Sequence, residues 1–363
     1  MQSLSLSLTI KPVSNTARDH GAFVSCVSCI GINSTPSCGC RTLDWLLLKC
    51  FAILDTGYRM DVLEAVWTKY RVPLLMRVKN YKGFMVAKKQ GAYQLEEQVG
   101  FAMYVALNYI HQYPTVASYS QFKAFGRSRK SMSKTTFYSQ AVTVMVELAR
   151  LIDEVHYSDR LHPDSHGTGF FRRYFTVIVD CAPVMVQDCI RTFWRDQLFQ
   201  GKYHAPCFKI QIGINFLGWI VLYTGLHIGT NNDDVIWEST AGQFPIEEEE
   251  WWIGDGAYER CYGVVCKLCA DSNTVLYPHE IYFNSLLNYW RQRVEHTMHL
   301  IKSHGMWRAE KARNSHICLH LAMKLTVHLT NMNIKLNAPY HTALGGEDGP
   351  RCRYEGFSQG PHW

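Results

Sequence analysis

Val177, Ile178 and Val179 are three β-branched residues in a row, and Asp180 follows them at once. Branched side chains are stiff at χ1 and fit a pleated, half-buried surface, so the run predicts an interior strand over residues 174–180. Asp180-Cys181-Ala182-Pro183 then predicts a turn, which leaves a carboxylate at the end of a buried strand. Such a carboxylate is costly unless something pairs with it. A divalent cation is one candidate partner. The other is the local backbone, whose N–H groups a simple strand-capping Asp can accept.

The elements that follow limit the choice of fold. Residues 207–216 and 219–224 predict two strands joined by a tight turn at Leu217-Gly218. Residues 234–241 suggest a helix. The acidic run Glu247 to Glu250 leads into Trp251-Trp252-Ile253-Gly254-Asp255, a second apolar run ending in a carboxylate. Another short strand is expected within 262–268. Residues 281–303 predict a long helix with Leu287, Trp290, Val294, Met298 and Ile301 as its apolar stripe, and 316–329 a last apolar helix. The order β, ββ, α, β, β, α fits an α/β, mixed-sheet domain of the ribonuclease-H (RNase H-like) type.

In such a sheet the first and fourth strands are neighbours, which would bring Asp180 and Asp255 together. The long helix offers Glu295, on one face with Arg291, Met298 and Lys302. Three carboxylates from two strand ends and a helix can hold two magnesium or manganese ions, because hard cations take oxygen ligands and few need come from protein. Two such ions about 4 Å apart clamp the attacking and leaving oxygens of a phosphodiester. Each acid also has a plainer reading: Glu295 as the partner of Arg291 one turn earlier, Asp255 as an Asx-turn residue before Gly256.

Upstream the texture is helical, over residues 43–160. Leu46, Leu47, Phe51 and Leu54 recur at helical spacing, as do Val62, Ala65 and Val66, with Pro73 expected to end that pattern. Between residues 94 and 156 a short helix through Phe125, the Gly126 turn and a longer helix from Ser131 or Ser133 resemble a helix-turn-helix. Arg127, Arg129 and Lys130 lie at its entrance, where basic residues meet phosphate. A plain helical hairpin with a solvated basic turn is the alternative. Punctuation over 158–169 marks the expected boundary.

Residues 1–42 lack a steady period and predict a disordered tail, and 336–363 a C-terminal one. Cys26, Cys29, Cys38 and Cys40 have poor spacing for zinc. Thirteen cysteines, odd in number and scattered, fit a reducing compartment better than a disulfide framework. The net charge of +6 permits a polyanionic partner without requiring one. Residues 206–229 form the longest apolar stretch, but Lys209, Gln211, Asn215 and three glycines interrupt it, so it reads as two strands rather than a membrane span.

Six pieces in order carry a family resemblance. They are Val177-Ile178-Val179-Asp180; Gly201-Lys202-Tyr203-His204 followed by Phe208-Lys209-Ile210-Gln211; the turn at Gly218; Gly229-Thr230-Asn231-Asn232-Asp233; Gly254-Asp255-Gly256-Ala257-Tyr258; and Phe283-Asn284 with Arg291, Val294-Glu295 and Lys302. Together, over about residues 170–335, they resemble the transposase-derived DDE endonucleases of the Harbinger (PIF) type. The resemblance implies metal-dependent cleavage and strand transfer on DNA, with Asp180, Asp255 and Glu295 catalytic. It implies Asp180, Asp233, Asp255 and Glu295 as ligands of magnesium or manganese, with Asp234 competing for the place of Asp233. Arg291, Lys302 and the basic turn would hold phosphates. It further implies a nuclear location, allows a separate DNA-binding partner protein and a homodimer, and gives no role to a membrane. Cys181-Ala182-Pro183 stand where the family usually has a small Gly-Thr pair, and Asn232 where His is common. A catalytically inactive DNA-binding protein is therefore the second reading, and a nuclease acting on RNA the third.

Overall fold

The computed structural model describes residues 60–78, 99, 102, 134–165, 170–186, 196–270, 275–302 and 316–337. All of these fall in the unit Trp45–Trp363. Residues 1–42, the four N-terminal cysteines among them, Gly126, Arg127, Arg129, Lys130 and residues 338–363 lie outside the described residues; 336 and 337, expected in the C-terminal tail, still belong to the last helix.

The β-branched run lies in β1 (Phe175–Met185), the centre of a mixed sheet. On one side β1 pairs antiparallel with β3 (Ala205–Ile214), and on the other parallel with β5 (Trp251–Ile253). β2 (Phe199–Gln200) pairs with the first two residues of β3, β4 (Ile220–Ile228) lies antiparallel to β3, and β6 (Val264–Val265) extends the sheet beyond β5. The first strand thus neighbours the one that leads to Asp255. Asn215 closes the β3–β4 turn by accepting the Leu217 and Trp219 N–H groups, each at 3.0 Å, and Gly218 supplies the positive φ of 81° that the turn requires.

One expectation is corrected here. Asp180 does not end its strand. β1 runs five residues further, through Pro183, and Asp180 pairs with Ile212 in mid-strand. The parallel pairing with β5, however, stops at Ile178↔Ile253. Beyond that point β1 has a neighbour on one side only, the setting in which a strand tolerates proline. Asp180 therefore sits where the sheet opens, not where the strand stops.

Both faces of the sheet are covered, which is why β1 and β3 read as unbroken apolar runs. Ile178, Ala182 and Val184 face a large core with the helices α5 (Pro278–Lys302) and α6 (His316–Asn337). Val177 and Val179 face a second cluster built on Trp237, Trp252 and Tyr258. Trp237 belongs to α4 (Asp233–Thr240), which leaves β4 through the turn at Gly229-Thr230.

Upstream, α1 (Met60–Val78) and α2 (Lys134–Leu151) pack on α6 and share the larger core. Pro73 does not end α1, contrary to expectation. The stripe Val62, Val66, Tyr70, Leu74 and Val78 is buried at steps of four on both sides of it, while Pro73 faces outward. A mid-helix proline costs about 3 kcal/mol, and burying Leu74 and Val78 returns about 1.5–3 kcal/mol each. The short α3 (Phe170–Tyr174) leads directly into β1. Residues 157–165 pack against the sheet: Asn215 Nδ2 donates to Asp159 O at 2.9 Å, and Phe216 N to Ser165 Oγ at 2.9 Å. Asn331 on α6 holds both backbone groups of Ile220, at 2.7 and 2.8 Å, and reaches Glu154 O at 2.7 Å. Among the described residues no helix is long and apolar enough to cross a membrane. Cys181, Cys207, Cys261, Cys266 and Cys269 are free thiols.

Gly229 marks a place with no room for a side chain. A Cβ there would lie 2.1 Å from Cys207 O and 2.7 Å from Leu198 O, both backbone atoms that cannot swing away. Gly229→Ala is expected to cost about 3 kcal/mol, the upper end for overpacking, read as a lower urea midpoint. Gly242→Ala, where nothing lies within 4 Å, should stay within about 0.5 kcal/mol of the parent.

Candidate active site

A cleft of about 680 Å³ lies at the end of β5, against the unpaired flank of β1. Five carboxylates line it, those of Asp180, Asp233, Asp234, Asp255 and Glu259. Five cations line it as well: Lys202, Lys209, Arg260, Arg291 and Lys302. They come from several parts of the fold. β1 contributes Asp180, the turn after β5 Asp255, the start of α4 Asp233 and Asp234, and α5 Arg291 and Lys302.

Asp180 is the most perturbed of the acids. Burial, then the charge of Asp255, push its carboxyl from an ordinary 3.8 up to about 6, against the Cys181 N–H, which donates to Oδ1 at 2.8 Å. Arg291 pulls the other way from a distance. Among the described residues no basic side chain forms an ion pair with Asp180. Asp255 stands at the head of a 3-10 turn, Gly256–Tyr258, and accepts the Ala257 N–H at 3.0 Å. Beneath this turn the Tyr258 hydroxyl is buried between Cys181 Sγ, at 3.2 Å, and Gln211 Nε2, at 3.1 Å.

α5 is fixed at several levels. Asn284 holds both backbone groups of Leu268 at 2.8 Å. The buried Arg293 stacks 4.1 Å from the Trp290 ring and donates to Phe216 O. That anchoring sets Arg291, Glu295 and Lys302 one turn or two apart beside the sheet. Arg291 Nε is buried with no hydrogen-bond partner among the described residues. Burial lowers the Lys302 ammonium, opposed by Asp180 and Glu295.

The predicted site residues thus fall into three groups. Asp180, Asp233, Asp255, Arg291 and Lys302 line the one cleft. Glu295 does not line it; its side chain is 59% exposed and stands 4.0 Å from Arg291. Arg127, Arg129 and Lys130 lie outside the described residues. Asp233 is held by Lys209 Nζ at 2.9 Å, whereas Asp234 caps its own helix through the Val235 N–H at 2.8 Å. Sequence reasoning gave no site role to Lys202, Lys209, Arg260 or Glu259. The segments Gly201-Lys202-Tyr203-His204 and Lys209-Ile210-Gln211 were the available signal for two of them.

Among the described residues no three His, Cys, Asp or Glu side chains stand together closely enough to hold an ion. The donor set nonetheless fits a hard divalent cation at Asp180 and Asp255. The charge of Asp255 raises the cost of ionising Asp180, which a cation relieves, and magnesium is commonly held by only one or two carboxylates.

Residues 179–331 match the family model of the DDE superfamily endonucleases. The matched stretch begins one residue before Asp180 and ends in α6, so it takes in every lining residue of the cleft. It supports the DDE superfamily for the sheet and its two long helices. No curated protein and no solved structure matched.

Proposed function

We propose that this chain is a metal-dependent DNA endonuclease of the transposase kind, of the Harbinger (PIF) type, working on an RNase H-like sheet. The observation that carries the reading is Asp180. Its half-buried carboxylate stands near Asp255, has no basic ion-pair partner among the described residues, and lies in a cleft that five cations also line. The path β4-β3-β1-β5-β6, with β1 and β5 parallel, supports the fold.

Asp180 and Asp255 would hold magnesium or manganese, and Glu295 would complete the set only with its side chain away from Arg291. A bound ion supplies the Lewis acidity that activates water and stabilises the leaving oxygen of a phosphodiester. Arg291, which lines the cleft, offers its guanidinium to a phosphate oxygen. Lys302, Lys202 and Arg260 neutralise the flanking phosphates. Arg127, Arg129 and Lys130 extend the DNA contact upstream. A nuclear location, a homodimer and a separate DNA-binding partner protein fit this role.

The capture of Asp233 by Lys209 and the exposure of Glu295 favour the second reading, a catalytically inactive DNA-binding protein. Nicking of a supercoiled plasmid with manganese decides between them. Wild type is expected to nick, and Asp255→Asn to bind DNA without nicking. A wild type that binds DNA and leaves the plasmid closed selects the inactive protein.

A further inference from the structure

The resemblance makes Asp233 a metal ligand; the structure sets its carboxylate in the same cleft as Asp180 but already paired with Lys209, which rises from the other face of the sheet. Residues directly opposite each other in a ladder share a face, and side chains alternate along each strand. Asp180 is opposite Ile212, on the face covered by α5. Lys209 is opposite Pro183, three positions further along β1 and therefore on the other face, with Val177, Val179 and Tyr258. Lys209 is only 8% exposed, and its ammonium donates to Asn231 O at 2.7 Å and to Asp233 Oδ1 at 2.9 Å. Serving as a ligand through Oδ1 would take Asp233 from this partner and leave the buried ammonium with Asn231 O alone and no counter-charge.

What the pair does hold is the stretch between β4 and α4. Thr230 N donates to Gln197 O at 3.3 Å, Gln200 Nε2 to Gly229 O at 3.2 Å, and Gly229 lies hard against the backbone of β3. Lys209 fixes the far end of the same stretch, at the first residue of α4. α4 then presents Trp237 edge-on to Trp252, with ring centroids 4.7 Å apart. Trp252 is in β5, and three residues beyond it the chain delivers Asp255. Gly254, between them, has Val264 Cγ1 2.7 Å from where a Cβ would stand, so β5 has little freedom to settle differently.

We propose that Lys209 and Asp233 are a positioning pair, which sets α4 and, through Trp237 and Trp252, the place of Asp255, and that Asp233 is not a metal ligand. The inference rests on the metal-site reading above only for what is being positioned. Its test is a manganese titration followed by electron paramagnetic resonance, with metal-free melting curves, on full-length wild type, Asp233→Asn, Lys209→Met and Lys209→Arg.

The two roles of Asp233 give opposite signs. For a positioning pair, Asp233→Asn and Lys209→Met both weaken manganese binding, by a similar three- to tenfold. Lys209→Arg stays near wild type, and Asp233→Asn lowers the metal-free melting temperature. For a ligand, Lys209→Met removes a competing cation and tightens binding, while Asp233→Asn weakens binding and leaves the melting temperature unchanged or higher. Either of those ligand results overturns the proposal. Should Lys209→Met fail to fold, Asp233→Asn and Lys209→Arg decide alone. A wild type that takes up no manganese rejects the metal-site reading, and the melting curves then decide whether the pair still holds the fold.

Discussion

Asp180→Asn is expected to make the metal-free protein more stable at pH 8, by up to about 3 kcal/mol. The folded state raises this carboxyl from 3.8 to about 6, by burial first and by Asp255 second. A raised carboxyl contributes stability below its unfolded value, and that contribution is lost as pH climbs through the folded value. From pH 4 to 6 the folded wild type binds more protons than the unfolded chain, so its stability falls across that window. At about 1.4 kcal/mol per tenfold, the loss amounts to about 3 kcal/mol at pH 8. Asparagine keeps the shape and does not titrate. The variant's advantage should therefore close below about pH 4, and urea melts at pH 4 and pH 8 measure it.

Manganese offsets that advantage. An ion that binds only the folded wild type adds about 2.7 kcal/mol at a hundred times its dissociation constant. Asp180→Asn should lose most of that gain, together with all nicking. If both proteins show the same manganese-induced rise in melting temperature, Asp180 is not a ligand.

What could be read in the sequence was whatever repeats at a short period. The run Val177-Ile178-Val179, the two strands around Gly218 and the stripe of α5 follow local patterns, and the structure has an element at each. Single breakers misled. Pro73 and Pro183 both lie inside elements, because long-range packing in the first case and an open sheet flank in the second outweigh the local cost. Charge pairing was legible only within a helix, where Glu295 stands 4.0 Å from Arg291 as its plainer reading has it; pairs between distant segments were not. Lys209 and Asp233 are 24 residues apart, and Arg160 and Glu250 are 90 apart. Nothing in the acidic run Glu247 to Glu250 marks out its last member, yet Glu250 is 8% exposed.

That last residue should show a large effect on stability. Arg160, on the 3-10 turn Tyr157–Leu161, is itself 5% exposed. Its Nε donates to Glu250 Oε1 at 2.8 Å and its Nη2 to Glu250 Oε2 at 3.3 Å. Thr176 Oγ1 donates to Oε1, Trp252 Nε1 reaches the same oxygen at 3.4 Å, and the Glu247 N–H donates to Oε2 at 3.0 Å. Burial by itself would raise the Glu250 carboxyl; the Arg160 and Thr176 hydrogen bonds override it and hold the carboxyl below its usual range. Glu250 thus ties β1, through Thr176, to the first residues of β5. Removing one partner of a buried pair costs about 3–5 kcal/mol, because the other charge is left uncompensated. Glu250→Gln should lose about 3 kcal/mol at pH 7, since the amide keeps part of the network and Glu247 still reaches Arg160 Nη2 at 2.6 Å. The pH dependence is opposite in sign to that of Asp180. A depressed carboxyl contributes stability above its unfolded value, and that contribution is lost as pH falls through the folded one, so the difference between Glu250→Gln and wild type should shrink on acidification below about pH 4. Because β5 carries Asp255, the same variant should also weaken manganese binding. A Glu250→Gln protein with the urea midpoint of wild type at pH 7 would show that the network contributes no net stability.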